Sequence, residues 1–368
     1  MLCAAWPQVW GDLASTRRGA AVFLDKLQGI WGGTNRQNWA AKWIHIGDAQ
    51  CILCDLNLKK EAFVEATEAW LSALTAFEVA KRLIDEDDEQ SEEILAKVES
   101  GIQRFGSSLE QKVERVKLAC VDRGEFGAYY LPGAKSHKSS PAVICISREE
   151  ETEAALLGRL LPVVIGRSIS LLVVSHDDLS NHSRSQSKNF FSCCVDYLSA
   201  RPDVDAARIG VYGEGLSAVL ATEFAVFDRR VAAAVCDGGL WNWASTLASV
   251  SWMTKTSDIM DDDVTSSRRL RLARRLTCPA LVVAGGRGVV SASEAIKLQA
   301  DCAAAGIDLE LALSCVSQTP IGEIENFVAS DNRIFAWLEH TLAAVQASDH
   351  FMNSGHDSED LLSIIDLR

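Results

Sequence analysis

From Pro141 onward, short apolar runs alternate with helical patterns, and this rhythm restricts the possible folds more than any other feature of the chain. Ala142–Ser147 (AVICIS), Ile169–Ser175, Arg208–Tyr212, Val231–Cys236, Ala280–Ala284 and Leu309–Leu313 read as strands. Helical stretches lie between them: Glu153–Leu161, Ser187–Ala200, Leu216–Phe227 and one from Ser293. Strands that are apolar along their whole length are covered on both faces, and strands joined through helices run parallel. The sequence therefore predicts an α/β fold with a mostly parallel, doubly wound sheet. Val113–Cys120 and Phe126–Leu131, flanking Asp122-Arg123-Gly124, predict a hairpin leading into it.

Residues 1–110 have a different character. Ala62–Leu83 places Phe63, Ala66, Trp70, Leu74 and Phe77 at spacings of three and four, the stripe of an amphipathic helix, and Ile94–Leu109 repeats the pattern. Trp6, Trp10, Trp31, Trp39, Trp43 and Trp70 all fall here and read as helix-packing anchors. The expected organisation is an N-terminal helical lid or dimerisation domain over 1–110 and an α/β domain over 111–347. A cap is expected to interrupt the latter at about 241–276. Ser330 is the expected N-cap of a closing helix, followed by a polar tail over 348–368.

A net charge of −14 over 368 residues and a pI near 5.0 argue against a nucleic-acid partner, since phosphate contacts need a basic face. No apolar run reaches the roughly 20 residues of a membrane span, and the first residues lack a basic start followed by an apolar stretch. The 11 cysteines, among them Cys145, Cys236 and Cys302, lie in apolar segments and read as reduced, buried thiols of a cytoplasmic protein. Cys51-x-x-Cys54, preceded by His45, is a single pair without a second pair, so no metal site is expected. No cofactor is expected either.

The strand Arg208–Tyr212 runs into Gly213-Glu214-Gly215-Leu216-Ser217, and a helix follows. A strand, a glycine-flanked sharp turn and a helix form the context of a nucleophile elbow. Its third position is Gly215, which has no side chain with which to attack. Ser217 comes two positions late and reads as a helix-start residue. Gly213-x-Gly215-x-x-Ala218 also matches the dinucleotide-binding pattern, with Asp237 at the end of the next strand as a ribose ligand. Against that alternative, the turn follows the third parallel strand rather than the first.

The segment Ala206–Gly213, continued through Phe227-Asp228-Arg229-Arg230-Val231, resembles the elbow–helix–strand unit of the FrsA-like branch of the α/β-hydrolases. That branch includes 2,6-dihydroxypseudooxynicotine hydrolase and fungal pigment polyketide-shortening hydrolases. Gly238–Trp243 is similar to the stretch that follows, and Glu68–Ala73 to part of the capping helical domain. The resemblance implies an α/β-hydrolase fold, C–C or ester cleavage of aromatic or polyketide substrates, and self-association. It also places the triad: serine on Gly215, acid near Gly288, histidine around Gly322 or Glu323. None of these can serve, and there is no histidine between His182 and His340. After the first parallel strand, Ser147-Arg148-Glu149-Glu150-Glu151 replaces the glycine-rich turn expected to hold an oxyanion.

Other chemistry is then to be sought at the carboxyl ends of the strands. Asp177, Glu214, Asp237 and Glu323 are the candidate catalytic carboxylates, suited to proton transfer in a cyclisation, dehydration or decarboxylation. His176, Gly215, Ser217, Trp241 and Trp243 are the candidate ligand-binding residues, and His176 with Asp177, Asp178 and His182 offers a general acid–base set. The expected partner is a small molecule, bound by a homodimer or by a heterodimer with an active homologue. Four readings follow: a non-hydrolytic hydrolase-fold protein that binds or transforms an aromatic or polyketide-like molecule, a pseudoenzyme interaction subunit, an atypical hydrolase, or a dinucleotide-binding protein.

Overall fold

The structure, a computed structural model, describes residues 36–84, 89–107, 111–120, 124–134, 139–149, 151–180, 184–238, 270–284, 292–313, 316–319, 322–325 and 327–356, with a few positions before 24. Its helices are α1 (Arg36–Lys59), α2 (Phe63–Lys81), α3 (Glu89–Ser107), α4 (Glu153–Val164), α5 (His176–Ser180), α6 (Arg184–Ser199), α7 (Ser217–Phe227), α8 (Ala292–Ala304) and α9 (Phe327–His356). Its strands are β1 (Glu114–Cys120), β2 (Gly124–Leu131), β3 (Ser140–Ile146), β4 (Ser170–Val174), β5 (Val204–Glu214), β6 (Val231–Asp237), β7 (Ala280–Ala284), β8 (Leu309–Leu313), β9 (Val316–Thr319) and β10 (Gly322–Glu325). The chain forms two compact units: 1–114 with 152–165, and 115–151 with 166–368.

In the first unit α1, α2, α3 and α4 pack together. Ala66, Trp70, Leu74 and Phe77 are buried as the periodicity requires, whereas Phe63, at the first turn of α2, is half exposed. Trp70 is the centre of the unit. Its ring lies beside Phe105, its Nε1–H donates to the Gly158 carbonyl at 2.6 Å, and Gly101 leaves the space that the indole fills. Trp43 is likewise fully buried, while Trp6, Trp10 and Trp31 lie outside the described residues. Cys51 and Cys54 are free, buried thiols, and burial pushes them up to about 11 and about 12 respectively, so both stay protonated at neutral pH. Thiols held protonated are poor metal ligands and poor nucleophiles.

The second unit is built on an eight-stranded sheet of order β1-β2-β4-β3-β5-β6-β7-β8. β2 pairs antiparallel with β4, and the pairings from β4 across to β8 are parallel. Alternation along β5 sorts its side chains between two faces. Ile209 and Val211 join the core packed under α6 and α7. On the opposite face Tyr212 meets Phe335, and Gly210 lets Leu338 and Leu342 of α9 come close to the strand. α8 closes a smaller core with Leu298 and Cys302 against Val282 and Leu309.

Three expectations are corrected. β8 is not the last strand, because β9 and β10 pair antiparallel as a separate two-stranded sheet. The closing helix begins at Phe327 and runs to His356, so Ser330 lies inside it, buried, rather than capping it. Cys120 and Cys193 are joined in a disulfide, although Cys145, Cys236 and Cys302 are buried thiols outside any disulfide, as expected. Sequence did not reveal that pair because its partners stand 73 residues apart, on an edge strand and a helix; tertiary packing brings their Cα atoms to 5.9 Å. The bridge ties edge strand β1 to α6. A Cys120→Ser variant is expected to lose about 2–4 kcal/mol of stability in the sheet unit, read by urea unfolding followed through hydrogen exchange of the β1 and α6 amides, as closure of so long a loop predicts. Unchanged protection of those amides in non-reducing buffer would show that the bridge stabilises nothing.

Candidate active site

Three neighbouring strands deliver the polar residues of the site, because the order β4-β3-β5 places their carboxyl ends side by side. Ser147 follows β3, His176 follows β4, and Ser217 opens α7 after the turn that ends β5. His176 Nδ1 lies 2.6 Å from Ser217 Oγ. Ser217 Oγ–H donates to the Ser147 carbonyl at 2.5 Å, and the His176 backbone N–H donates to Ser147 Oγ at 3.1 Å. Ser217 is fully buried and His176 nearly so.

A proton count sets the direction of these bonds. A serine hydroxyl has one proton. Ser217 gives its proton to the Ser147 carbonyl, which can only accept. His176 Nδ1 must then be the donor to Ser217 Oγ, leaving the lone pair of the neutral ring on Nε2. Burial pulls His176 below the ordinary histidine range, with Glu149 and Asp177 opposing that pull. The neutral ring is therefore favoured at pH 7. Ser217 is not activated by this histidine; it orients it.

The elbow turn keeps its geometry. Gly215 has φ +63°, the left-handed conformation that glycine adopts without strain, and its N–H donates to the Asp237 carbonyl at 2.8 Å. A Cβ built on Gly215 would sit 3.5 Å from Glu149 Oε2 and 3.8 Å from Arg148 Cγ. A carboxylate thus stands beside the place a side chain at 215 would occupy. Gly213 serves a different purpose: a Cβ there would overlap the Ser217 carbonyl, so this glycine allows the first turn of α7 to fold onto β5. The turn after β3 is not purely acidic in effect either. Arg148 Nε lies 3.4 Å from Glu214 Oε1 and 3.6 Å from Glu151 Oε2, bridging the two.

Of the four candidate carboxylates, the fold brings two together. Glu214 and Asp237 are register partners on β5 and β6, both are buried, and the Tyr212 hydroxyl approaches them at 3.0 and 3.3 Å. Asp177 is exposed in the first turn of α5. Glu323 lies on β10, paired with Gln318 in the separate two-stranded sheet. Gly288, Trp241 and Trp243 lie outside the described residues. Among the described residues, no group of three or more His, Cys, Asp or Glu side chains is placed to hold a metal ion, and no helix is long and apolar enough to cross a membrane. Sequence reasoning missed Ser147, Glu149 and Tyr212. The available signal was their position at or beside the carboxyl end of a strand, shared by many residues that do nothing.

No protein-family model matches the chain, and no curated protein matches it in sequence. Solved structures do match. 2,6-Dihydroxy-pseudo-oxynicotine hydrolase superposes with a TM-score of 0.54 at 16% identity, covering 83% of this chain and 89% of its own. The protein described as AbyA5 wild type gives 0.51 at 15% identity, with the same two coverages of 83% and 89%. The chain has an α/β-hydrolase fold. The strand–turn–helix at Gly213–Ser217 has the form expected from the sequence, with the left-handed Gly215 in its turn. The buried Asp237, under the Tyr212 hydroxyl, is also poorly placed to hold a ribose at the open end of a strand.

Proposed function

We propose that this protein is a hydrolase-fold protein without serine-hydrolase chemistry, binding and transforming a small aromatic or polyketide-like molecule by proton transfer. The observation that carries the reading is the elbow: a left-handed glycine at the apex with the Glu149 carboxylate beside it. The acyl-enzyme route needs an activated nucleophile, and the nearest serine gives its proton to a backbone carbonyl. The substrate class to test first comes from the structural neighbour named for a dihydroxylated pseudo-oxynicotine, together with the sequence resemblance. In the assay, 4-nitrophenyl acetate is expected to show neither a burst nor turnover above the buffer rate. Hydroxylated aryl ketones are expected to raise the melting temperature. Enzyme-dependent release of nitrophenolate that is lost in Ser217→Ala would overturn the reading.

One observation favours a second role, as an interaction subunit. Ile52, Leu53 and Leu56 on α1 and Phe63 and Val64 on α2 are large apolar residues left exposed. A homodimer, or a heterodimer with an active homologue, would cover such residues. Light scattering of the wild type against Leu53→Glu/Leu56→Glu separates the cases: a dimer that the double variant dissociates supports this role, and a monomer in both removes the homodimer.

A further inference from the structure

We infer that His176 is the catalytic base of the site and that it acts on a carbon acid, a C–H bond adjacent to a carbonyl, with Ser217 and Ser147 as its positioning residues. The inference rests on the small-molecule reading above and deepens it. In water a neutral imidazole exchanges its proton between two nitrogens. Here the exchange is blocked by two serines that make sense together only with Nδ1 protonated. Ser217 Oγ–H is committed to the Ser147 carbonyl at 2.5 Å, so Ser217 Oγ can only accept from Nδ1, 2.6 Å away. Ser147 Oγ also accepts the His176 backbone N–H at 3.1 Å, which fixes the main chain of the residue as well as its ring. A histidine whose Nδ1–H is held by a fixed acceptor presents Nε2 as a base of defined direction.

The surrounding charges suit the proton that such a base would take. The Glu149 and Asp177 carboxylates stabilise an imidazolium at this position, while burial keeps the resting ring neutral. Glu149 also reaches the Gly215 apex, so the base and the vacated nucleophile position share a neighbour. A site with a neutral base and no nucleophile at its apex suits chemistry that breaks a C–H bond rather than an acyl bond. In the simplest cycle, Nε2 takes a proton from the carbon next to a ketone. The C–H electron pair becomes the C=C bond of an enolate, with the negative charge on the carbonyl oxygen. The imidazolium then exchanges its proton with water and returns one to carbon. Atoms and charge balance without any oxidant or metal.

Acetophenone in D2O tests this with the full chain. Loss of the methyl proton signal by NMR reads enolisation, the melting temperature reads binding of the same ketone, and 15N-histidine NMR reads the tautomer. The wild type is expected to show His176 with Nδ1 protonated and Nε2 bare at pH 7. Ser217→Ala is expected to shift population to the Nε2–H form and to lower the exchange rate while the melting-temperature shift with the ketone is kept, a split that a merely structural serine would not give. Exchange should fall about 10²–10⁴-fold in His176→Gln, the usual contribution of a general base. The acidic limb of the wild-type rate should lie below the ordinary histidine value, activity being lost as pH falls and His176 is protonated. A melting-temperature shift without exchange in the wild type would overturn the base assignment and leave the ligand-binding reading standing. Neither shift nor exchange would count against both. A bare Nδ1 in the wild type, or equal exchange in His176→Gln, would overturn the inference directly.

Discussion

Trp70→Ala is expected to destabilise the helical unit by about 3–5 kcal/mol, the range for removing a large buried aromatic side chain. Three observations set that size. The indole is 1% exposed, its Nε1–H holds the Gly158 carbonyl at 2.6 Å, and Gly101 and Gly158 are glycines whose missing Cβ atoms make room for the ring. Truncation would leave a cavity between α2, α3 and α4 that neighbouring glycines have no side chains to fill. It would also strip a buried carbonyl of its donor. Trp70→Phe is expected to cost less than Trp70→Ala, since one ring of packing remains while the hydrogen bond and the second ring are lost. Because the chain has two units, a single global midpoint is a poor measure. Hydrogen exchange of the α2, α3 and α4 amides reads the effect locally. Protection that falls by less than tenfold in Trp70→Ala would show that the indole is not the centre of this unit.

The paired elbow glycines should respond in opposite degree. Gly213→Ala is expected to cost about 3 kcal/mol or more, at the upper end of overpacking penalties. The added methyl would meet the Ser217 carbonyl and the Ala218 nitrogen, backbone atoms that cannot rotate away. Relief would require α7 to lift from β5, and with it Ser217, Ser147 and His176 would separate. Gly215→Ser is the milder change. Its Cβ has ordinary clearance from Glu149 and Arg148, so the cost is the left-handed backbone alone, about 1–2 kcal/mol. Returning a serine to the apex is also expected not to return esterase activity, because the Glu149 carboxylate beside it opposes the oxyanion that ester attack would build. Thermal melts and a 4-nitrophenyl acetate assay on both variants check the pair. A Gly213→Ala protein as stable as the wild type would show that α7 does not depend on this close approach.

Much of the fold was legible in the chain because strand burial leaves a local mark. Ala142–Ile146 and Ala280–Ala284 are apolar throughout, and both lie in strands buried along their length. The same logic failed where structure is made by pairing rather than by burial. β9 and β10 are four residues each, too short to show a period, and the start of α9 carries no capping residue that the sequence distinguishes from Ser330. The site was legible in part. The sequence put Gly215 in the turn between strand and helix, and the structure gives it the left-handed backbone of a sharp turn. The positions of Glu214 and Asp237 at strand ends suggested that they meet, and their register makes them partners.

What the sequence determined by itself is therefore the strand-and-helix order and the glycine at the elbow apex, because both are properties of consecutive residues. The Ser147–His176–Ser217 hydrogen bonds, the Arg148 bridge between Glu151 and Glu214, and the Cys120–Cys193 bond were decided only by tertiary structure. Each joins residues from separate elements, and the order β4-β3-β5 is what sets three of those elements side by side. Hydrogen bonds of under 3 Å and covalent bonds need positions in space, which spacing along a chain does not supply.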